Sequence, residues 1–295
     1  MFKKTALIAG IGLALSATAQ ADYQFQVDGG YARTSFDLQT RNPNDGKADP
    51  DLNNYNIGGT WYMEAVDTSK GPLGEAAFLD HASSISLGFA DDEVSINGAD
   101  DPDAQVYNVD MRYVAEGPGW KLSGWLMEVG YQRTENDDAN VDTWSAGIGK
   151  YLGQNTSLVA LYENISVDNG GDVDRWGAEL EHFFPFDNGG LKARLAGGKT
   201  VVSGLDDPTR WGLGGTWYIG NNWGISLDFA QDDLNGYEID RYGAGVEWFI
   251  TENFAVDLTY EDVEFDDIEG IAGLLPGQKI EASYDTIGIN ALYRF

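Results

Sequence analysis

A short motif recurs along this chain, and its side chains alternate between two characters. It reads Arg-Trp-Gly-Ala-Glu-Leu at 175–180, Arg-Trp-Gly-Leu-Gly-Gly at 210–215 and Arg-Tyr-Gly-Ala-Gly-Val at 241–246, with looser copies at 54–63 and 143–148. The rings of Trp144, Trp176, Trp211 and Tyr242 are successively 32, 35 and 31 residues apart. That spacing accommodates one hairpin of two long strands with its turns, so the sequence predicts a repeated β-hairpin.

The alternation has a period of two, which strands produce and helices do not. In one copy Trp176, Ala178 and Leu180 share a face, while Arg175 and Glu179 share the other. The pattern predicts about fourteen strands, within a range of about 12 to 16, and an even count is what a bacterial single-chain barrel requires. The predicted strands lie near 22–37, 53–67, 77–90, 104–116, 120–134, 141–152, 155–167, 173–186, 190–202, 208–219, 222–233, 237–250, 253–265 and 282–295.

These predicted strands are long, and large aromatic residues cluster at their ends, as in Trp217-Tyr218 and Trp248-Phe249. The alternative for an alternating all-β sequence is a soluble sandwich, whose strands are usually shorter, about 5–6 residues. Aromatic pairs at strand ends are typical of the interfacial girdles of membrane barrels. We therefore predict an all-β fold, a transmembrane antiparallel up-and-down β-barrel, with its polar alternates facing water inside.

The connections between the predicted strands alternate in length and charge. Short turns alternate with longer acidic loops. The short turns lie at 117–119, 153–155, 187–190, 220–222 and 251–253, and the acidic loops lie at 42–53, 91–103, 135–142, 168–174 and 264–277. In outer-membrane barrels the short turns are periplasmic and the long loops extracellular. The loop 264–277 also contains apolar Ile268, Ile271, Leu274 and Leu275, which suit either an inward constriction or a cap on the rim.

The N-terminus predicts export from the cytoplasm. Lys3-Lys4, an apolar run at 6–15 and a small-residue site at 19–21 form the pattern of a cleaved secretory signal peptide. The apolar run is shorter than the ~20 residues that a spanning helix needs. We expect residues 1–21 to be removed and residues 22–295 to form a single barrel domain in the cell outer membrane.

The composition argues against several kinds of partner. The chain has 18 basic and 48 acidic residues, and loss of the two lysines with the signal peptide leaves a net charge of 16 − 48 = −32. Because that charge repels polyanions, we expect no nucleic-acid binding. The chain has no cysteine, so it contains neither disulfides nor thiolate metal sites. We expect no cofactor and no metal site.

The C-terminal strand carries the most specific resemblance to known proteins. Residues 285–295 end on Phe295 with Tyr293 on the same face, and they closely resemble the assembly signal of outer-membrane barrels. By that resemblance the barrel-assembly machinery reads Tyr293 and Phe295, and the last strand closes onto the first. The stretches 22–31 and 71–79 are similar to those of the general porins of Gram-negative bacteria. That resemblance implies no catalytic residue, and it leaves open a monomer or the homotrimer usual among general porins.

Polar alternates of the strands are expected to line the barrel. The predicted pore-lining residues are Glu128, Arg175, Glu179, Lys192, Arg194, Arg210, Asp228, Arg241, Glu247 and Asp257. The basic residues either form a wall that filters solutes by charge or neutralise acidic residues on neighbouring strands. Because about eight strands leave a filled lumen and about 16 an aqueous channel, about fourteen predict a water-filled pore that loops could narrow. We expect passive diffusion of small hydrophilic solutes or ions, with a mild cation preference from the acidic loops.

Other functions need features that this sequence lacks. A barrel-borne lipase or protease needs a nucleophile with an acid–base set, yet the only histidines are His81 and His182 and no Gly-x-Ser-x-Gly elbow occurs. The Asp-rich stretch at 100–103 suits calcium or divalent bridging to lipopolysaccharide, but no complete EF-hand loop is present. We predict a porin rather than an enzyme, in contact with outer-membrane lipid and lipopolysaccharide. A non-conducting adhesin or anchor barrel stays an alternative that conductance would separate.

Overall fold

The computed structural model describes residues 22–40, 50–96, 99–100, 104–115, 124–136, 140–168, 170–202, 208–234, 237–269 and 279–295. The strands in these ranges are β1 (Tyr23–Thr40), β2 (Asp51–Val66), β3 (Ser84–Ile96), β4 (Ala99–Asp100), β5 (Ala104–Val114), β6 (Trp125–Glu135), β7 (Asn140–Tyr151), β8 (Thr156–Val167), β9 (Asp172–Phe186), β10 (Gly189–Val202), β11 (Thr209–Ile219), β12 (Trp223–Leu234), β13 (Tyr237–Phe249), β14 (Phe254–Glu269) and β15 (Lys279–Arg294). The two-residue β4 pairs antiparallel with the end of β3, and the other fourteen strands are long.

The fourteen long strands form one closed antiparallel barrel. Each strand pairs with the next along the chain, and β15 pairs with β1 in a register that places Gly29 opposite Ala291. Closure leaves no long strand with an unpaired edge, which is the condition for crossing a membrane with strands. The predicted fold class, the strand number and the pairing of the last strand with the first are confirmed.

The outer face of the barrel is apolar and carries two aromatic girdles. Leu227 is 67% exposed and Trp217 57%, an arrangement that only hydrocarbon around the barrel would stabilise. Ring pairs lie toward both ends: Trp223–Trp248 and Phe25–Phe295 near the short turns, and Tyr131–Trp144, Tyr162–Trp176 and Phe229–Tyr242 in the opposite half. Among the described residues no helix has the length and apolar character to cross a membrane.

The connection between β2 and β3 differs from the prediction. The strand predicted near 77–90 begins at Ser84, and residues 67–83, which we call the inward segment, contain two 3₁₀ turns (Thr68–Lys70 and Leu73–Glu75) and the helix α1 (Ala76–Leu79). Pro72 has no N–H to donate to a strand ladder, and Ala76–Leu79 lack alternation, so this stretch cannot extend a strand. The expectation of short turns at this end of the barrel is wrong for this connection.

Several predicted features lie outside the described residues. These are the signal peptide 1–21, the turn at 117–119 and parts of the acidic loops, including Ile271, Leu274 and Leu275 of the loop 264–277.

Candidate functional site: the lumen and its inward segment

Charged side chains on the inner face of the barrel pair across neighbouring strands. The pairs include Arg112–Glu128 at 2.9 Å, Arg175–Glu163 at 2.7 Å and Arg194–Glu179 at 2.7 Å. In each pair a residue of one strand meets a residue of the adjacent strand on the same face. Cross-strand neutralisation, one of the two alternatives from the sequence, therefore holds at these positions.

Two arginines on β11 and β13 share an acidic partner on β12, away from the inward segment. Arg210 and Arg241 share the carboxylate of Asp232, at 3.7 and 2.8 Å, and the two arginine side chains are 47% and 37% exposed. With Arg194 and Asp228 these arginines border a cavity of 580 Å³ on the inner wall. The acidic side chains of Asp228 and Glu261 also border this space, so the arginines there are accompanied by carboxylates besides Asp232.

An acidic pair lies beside the inward segment. Glu247 on β13 is the register partner of Asp257 on β14, so both carboxylates point to the same face. A Cβ built on Gly74 of the inward segment would lie 2.2 Å from Glu247 Oε2, so no larger residue fits at position 74 without displacing its neighbours. The backbone of the inward segment thus passes directly over this part of the wall.

The inward segment crosses the lumen from one side to the other. Leu73 packs in a buried cluster with Phe249, Ala255 and Leu292, which lie on β13, β14 and β15. Ala76, which is fully buried, packs against β1 and β2 residues Tyr23, Tyr62 and Val66. On the remaining side, Phe78 and Leu79 join a buried cluster with Val114, Leu126, Tyr151, Val159, Phe183 and Tyr218. A segment that touches the inner face on all sides occupies the lumen at that end.

One carboxylate of the inward segment is held by the wall. Glu75, which is 5% exposed, accepts a hydrogen bond from the Tyr218 hydroxyl at 2.7 Å, and its other oxygen lies 3.2 Å from Lys192 Nζ. Lys192 also pairs with Glu181 at 3.0 Å. Burial raises the pKa of the Glu75 carboxyl above its ordinary value, although Lys192 and the Tyr218 hydrogen bond oppose part of that rise. Glu75 therefore connects the inward segment to β10 and β11.

A second polar connection lies on the opposite wall. Arg294 of β15 donates Nη1 to the backbone carbonyl of Leu73 at 2.8 Å, and its Nε lies 3.2 Å from Gln26 Oε1 on β1. Its guanidinium carbon is 4.5 Å from the ring centre of Tyr23 and 4.7 Å from that of Phe249. Inward-segment backbone and two wall rings thus enclose the cation.

The third wall contact uses rings. Phe78 packs near Tyr151 with ring centres 5.5 Å apart, and the imidazole of His81 stacks on Tyr151 at 3.7 Å. His81 Nε2 lies 3.0 Å from the Gln154 carbonyl in the β7–β8 turn. Burial lowers the pKa of His81 below its ordinary value, although the hydrogen bond to the Gln154 carbonyl opposes part of that fall. The positive charges of Lys70 and Arg112 lower the pKa further, while Asp80 raises it.

All the residues predicted to line the pore share the face that the inward segment contacts, as the strand registers require. Lys192 contacts the inward segment directly, and Glu247 and Asp257 lie beside it. Their role in conduction stays a prediction. Sequence reasoning missed Glu75 and Arg294, because alternation identifies wall positions but not what fills the lumen. It also placed Tyr218 in an outer girdle with Trp217, whereas Tyr218 is buried against the inward segment. The signal was the stretch 71–79, where Gly-Pro and apolar residues interrupt the strand pattern.

The comparisons with known proteins agree with this architecture. A family model described as "putative general bacterial porin" matches residues 2–183, which is more than half of the chain. The outer membrane protein Omp33 of Acinetobacter baumannii has a similar structure, with a TM-score of 0.56 and 20% identity over 94% of this chain and 100% of that one. A mutant of TodX, described as a monoaromatic hydrocarbon channel, has a TM-score of 0.57 and 8% identity over 96% and 92% of the two chains. At these identities the likeness shows the fold alone. No curated protein matches the sequence.

Proposed function

Because the chain belongs to the general bacterial porin family and is an outer-membrane channel protein, we propose that it allows passive diffusion of small hydrophilic solutes and that the inward segment controls this diffusion. The observation that carries the proposal is the contact of one short segment with strands on every side of the barrel. The inward segment lies at the end with the short turns, which is the periplasmic end in outer-membrane barrels. We call this position of the inward segment, in contact with the surrounding strands, the seated position. In the seated position the inward segment closes the route through the lumen.

The wall of the path beyond the inward segment is polar. It carries the paired charges of β5 to β10 and the partly exposed Arg210 and Arg241, next to a cavity of 580 Å³. Solutes that enter from outside would meet this polar wall before they reach the inward segment. We propose a mild preference for cations at the mouth, where the long acidic loops lie, because fixed negative charge concentrates cations there.

Removal of the inward segment tests the proposal. Replacement of residues 67–81 by a glycine-rich turn should give a barrel with large, steady conductance in planar bilayers, whereas the wild type should conduct rarely and briefly. Heat-modifiable migration on a gel would establish that both proteins form closed barrels. Ser69→Ala is a matched control within the same segment, because the Ser69 side chain is exposed.

Two results would contradict the proposal. The first is a folded deletion variant that conducts no more than the wild type, which would favour a non-conducting anchor or adhesin barrel. The second is a wild-type protein with continuous conductance equal to that of the deletion variant, because the seated segment would then not obstruct solutes.

A further inference from the structure

We propose that Arg294, the penultimate residue, is the positioning residue that holds the inward segment in the lumen, and that it does so only after the last strand has closed the barrel. The inference rests on the proposed function, since the inward segment must be able to leave its seat. Two features carry it: the contacts of the Arg294 guanidinium, and the strands from which its partners come.

Arg294 is a buried cation with an unusual set of neighbours. The residue is only 5% exposed, although arginine is almost never fully buried unless it is paired. It donates to the Leu73 carbonyl of the inward segment and lies between the rings of Tyr23 and Phe249. If the inward segment left, the bond to Leu73 would be lost and this face of the cation would need a new partner. The bond therefore favours the seated position.

The partners of Arg294 come from both sides of the closing seam. Gln26 and Tyr23 lie on β1, Phe249 lies on β13, and Arg294 itself ends β15. Before β15 pairs with β1, Tyr23 and Gln26 are not beside the guanidinium. The complete set of contacts forms only in the closed barrel, so the seat for Leu73 is finished last.

The last strand thus serves different roles on its two faces. Tyr293 and Phe295 point outward, where Phe295 stacks with Phe25 at 5.6 Å, and their proposed role is recognition during assembly. Arg294 lies between them and points into the lumen. A substitution at Arg294 can therefore alter the seating of the inward segment while the outward residues still direct assembly.

The absence of cysteine from the chain allows a clean labelling experiment. Ser157 lies on the inner face of β8, is 1% exposed, and donates toward Glu181, which is the second partner of Lys192. In a Ser157→Cys background, the rate of modification by a small water-soluble maleimide reports how often the seat opens. We expect Arg294→Met to raise that rate by about tenfold or more, with a parallel increase in open probability in bilayers.

Three further variants make the result decisive. Arg33→Met is the matched control, because Arg33 lies on β1 at the end opposite the inward segment, where it pairs with Asp51. Its labelling rate should equal that of the Ser157→Cys protein, because Arg33 does not contact the inward segment. Arg294→Lys keeps the cation but loses the fork that reaches both Leu73 and Gln26, so an intermediate rate is expected. The deletion of residues 67–81 in the same background sets the rate for an empty seat.

The outcomes separate this inference from the proposed function. Slow labelling of Arg294→Met beside fast labelling of the deletion variant overturns the role of Arg294 and leaves the proposed function intact. Failure of both Arg294→Met and Arg294→Lys to form heat-modifiable barrels also overturns it, because Arg294 would then act in barrel formation itself. A deletion variant that labels slowly would remove the premise of both proposals.

Discussion

The two halves of the lumen are built from the same strands, yet they hold their charges in different ways. At the end with the short turns, Glu75 and Lys192 are largely buried between the inward segment and the wall. In the opposite half Arg210 and Arg241 are 47% and 37% exposed and share one carboxylate. Buried pairs depend strongly on their geometry, because a partner left alone in a dry site is costly, whereas exposed pairs are weakened by water and salt.

This difference indicates a division of roles. Buried contacts between the inward segment and the wall are lost together when the segment leaves. Such contacts suit a segment that is either seated or released. Exposed charges whose field reaches into water suit the selection of solutes along an open path. The first region should therefore respond to substitution with a large change in how often the channel opens, and the second with a small change in which ions pass.

Glu75→Lys is the substitution expected to have the largest effect on this comparison. It places an ammonium where the carboxylate now lies 3.2 Å from Lys192 Nζ. Repulsion between like charges at such a distance is about 4 kcal/mol in a partly buried site, enough to raise the open probability at least tenfold. The measurement is single-channel recording of the purified protein.

Glu75→Gln is the matched control for that substitution. It keeps an acceptor for the Tyr218 hydroxyl and leaves Lys192 paired with Glu181 at 3.0 Å, so the channel should remain mostly closed. If Glu75→Lys were as closed as Glu75→Gln, the ion pair at the end with the short turns would not hold the segment, and the contrast between the two halves would lose its basis.

The open probability should depend on pH to a smaller extent, and Glu75 and His81 should shift it in opposite directions. The seated state raises the pKa of Glu75, so it binds a proton more tightly than the released state, and acid favours seating through this group. The seated state lowers the pKa of His81, whose ordinary value is 6.5, so protonation below that value favours release. The two groups therefore work against each other in the wild type.

Variants at the two positions separate these contributions. In His81→Asn, open probability should fall as the pH is lowered from 7, because Glu75 remains. Asparagine is chosen because it tolerates the positive φ of 55° at this position. In Glu75→Gln, open probability should rise over the same range because His81 remains. Each change should be smaller than that of Glu75→Lys, because only one group titrates in each variant. Equal pH profiles of the two variants would show that other inner-face groups dominate.

Most of the barrel could be predicted from the sequence because membrane strands obey a strict local rule. Trp176 and Arg175 are neighbours in a motif whose period fixes which of them meets lipid and which meets the lumen, and three copies made the rule visible. At most strands the ends differ by only a few residues from the prediction where both are described, as at β13 (Tyr237–Phe249), whereas β3 (Ser84–Ile96) departs further from its predicted range 77–90. The outer face needs no long-range information, since its solvent is the membrane.

The inward segment could not be predicted in the same way, because its conformation depends on residues from distant parts of the chain. Glu75 is held by Lys192 and Tyr218, more than a hundred residues later. Leu73 is held by Arg294 at the end of the chain. No local period encodes such partners. What the sequence does contain is an interruption at Gly71-Pro72, which excludes a strand without indicating where the segment goes.

The smallest predicted effect concerns the exposed half, and it tests whether the charges there do more than neutralise one another. Combined Arg210→Ala and Arg241→Ala substitutions, made in the variant that lacks the inward segment, remove both partners of Asp232. The exposed carboxylate should then raise the permeability ratio of cations to anions by about two- to threefold, as rings of charge do in selective pores. Reversal potentials in a salt gradient measure this ratio.

Arg33→Ala is the control outside the lumen. Because the Debye length shrinks from about 30 Å at 0.01 M salt to about 10 Å at 0.1 M, the shift should be larger at low salt. A ratio unchanged at both concentrations would mean that these arginines only balance Asp232, and that selection, if any, occurs at the acidic loops.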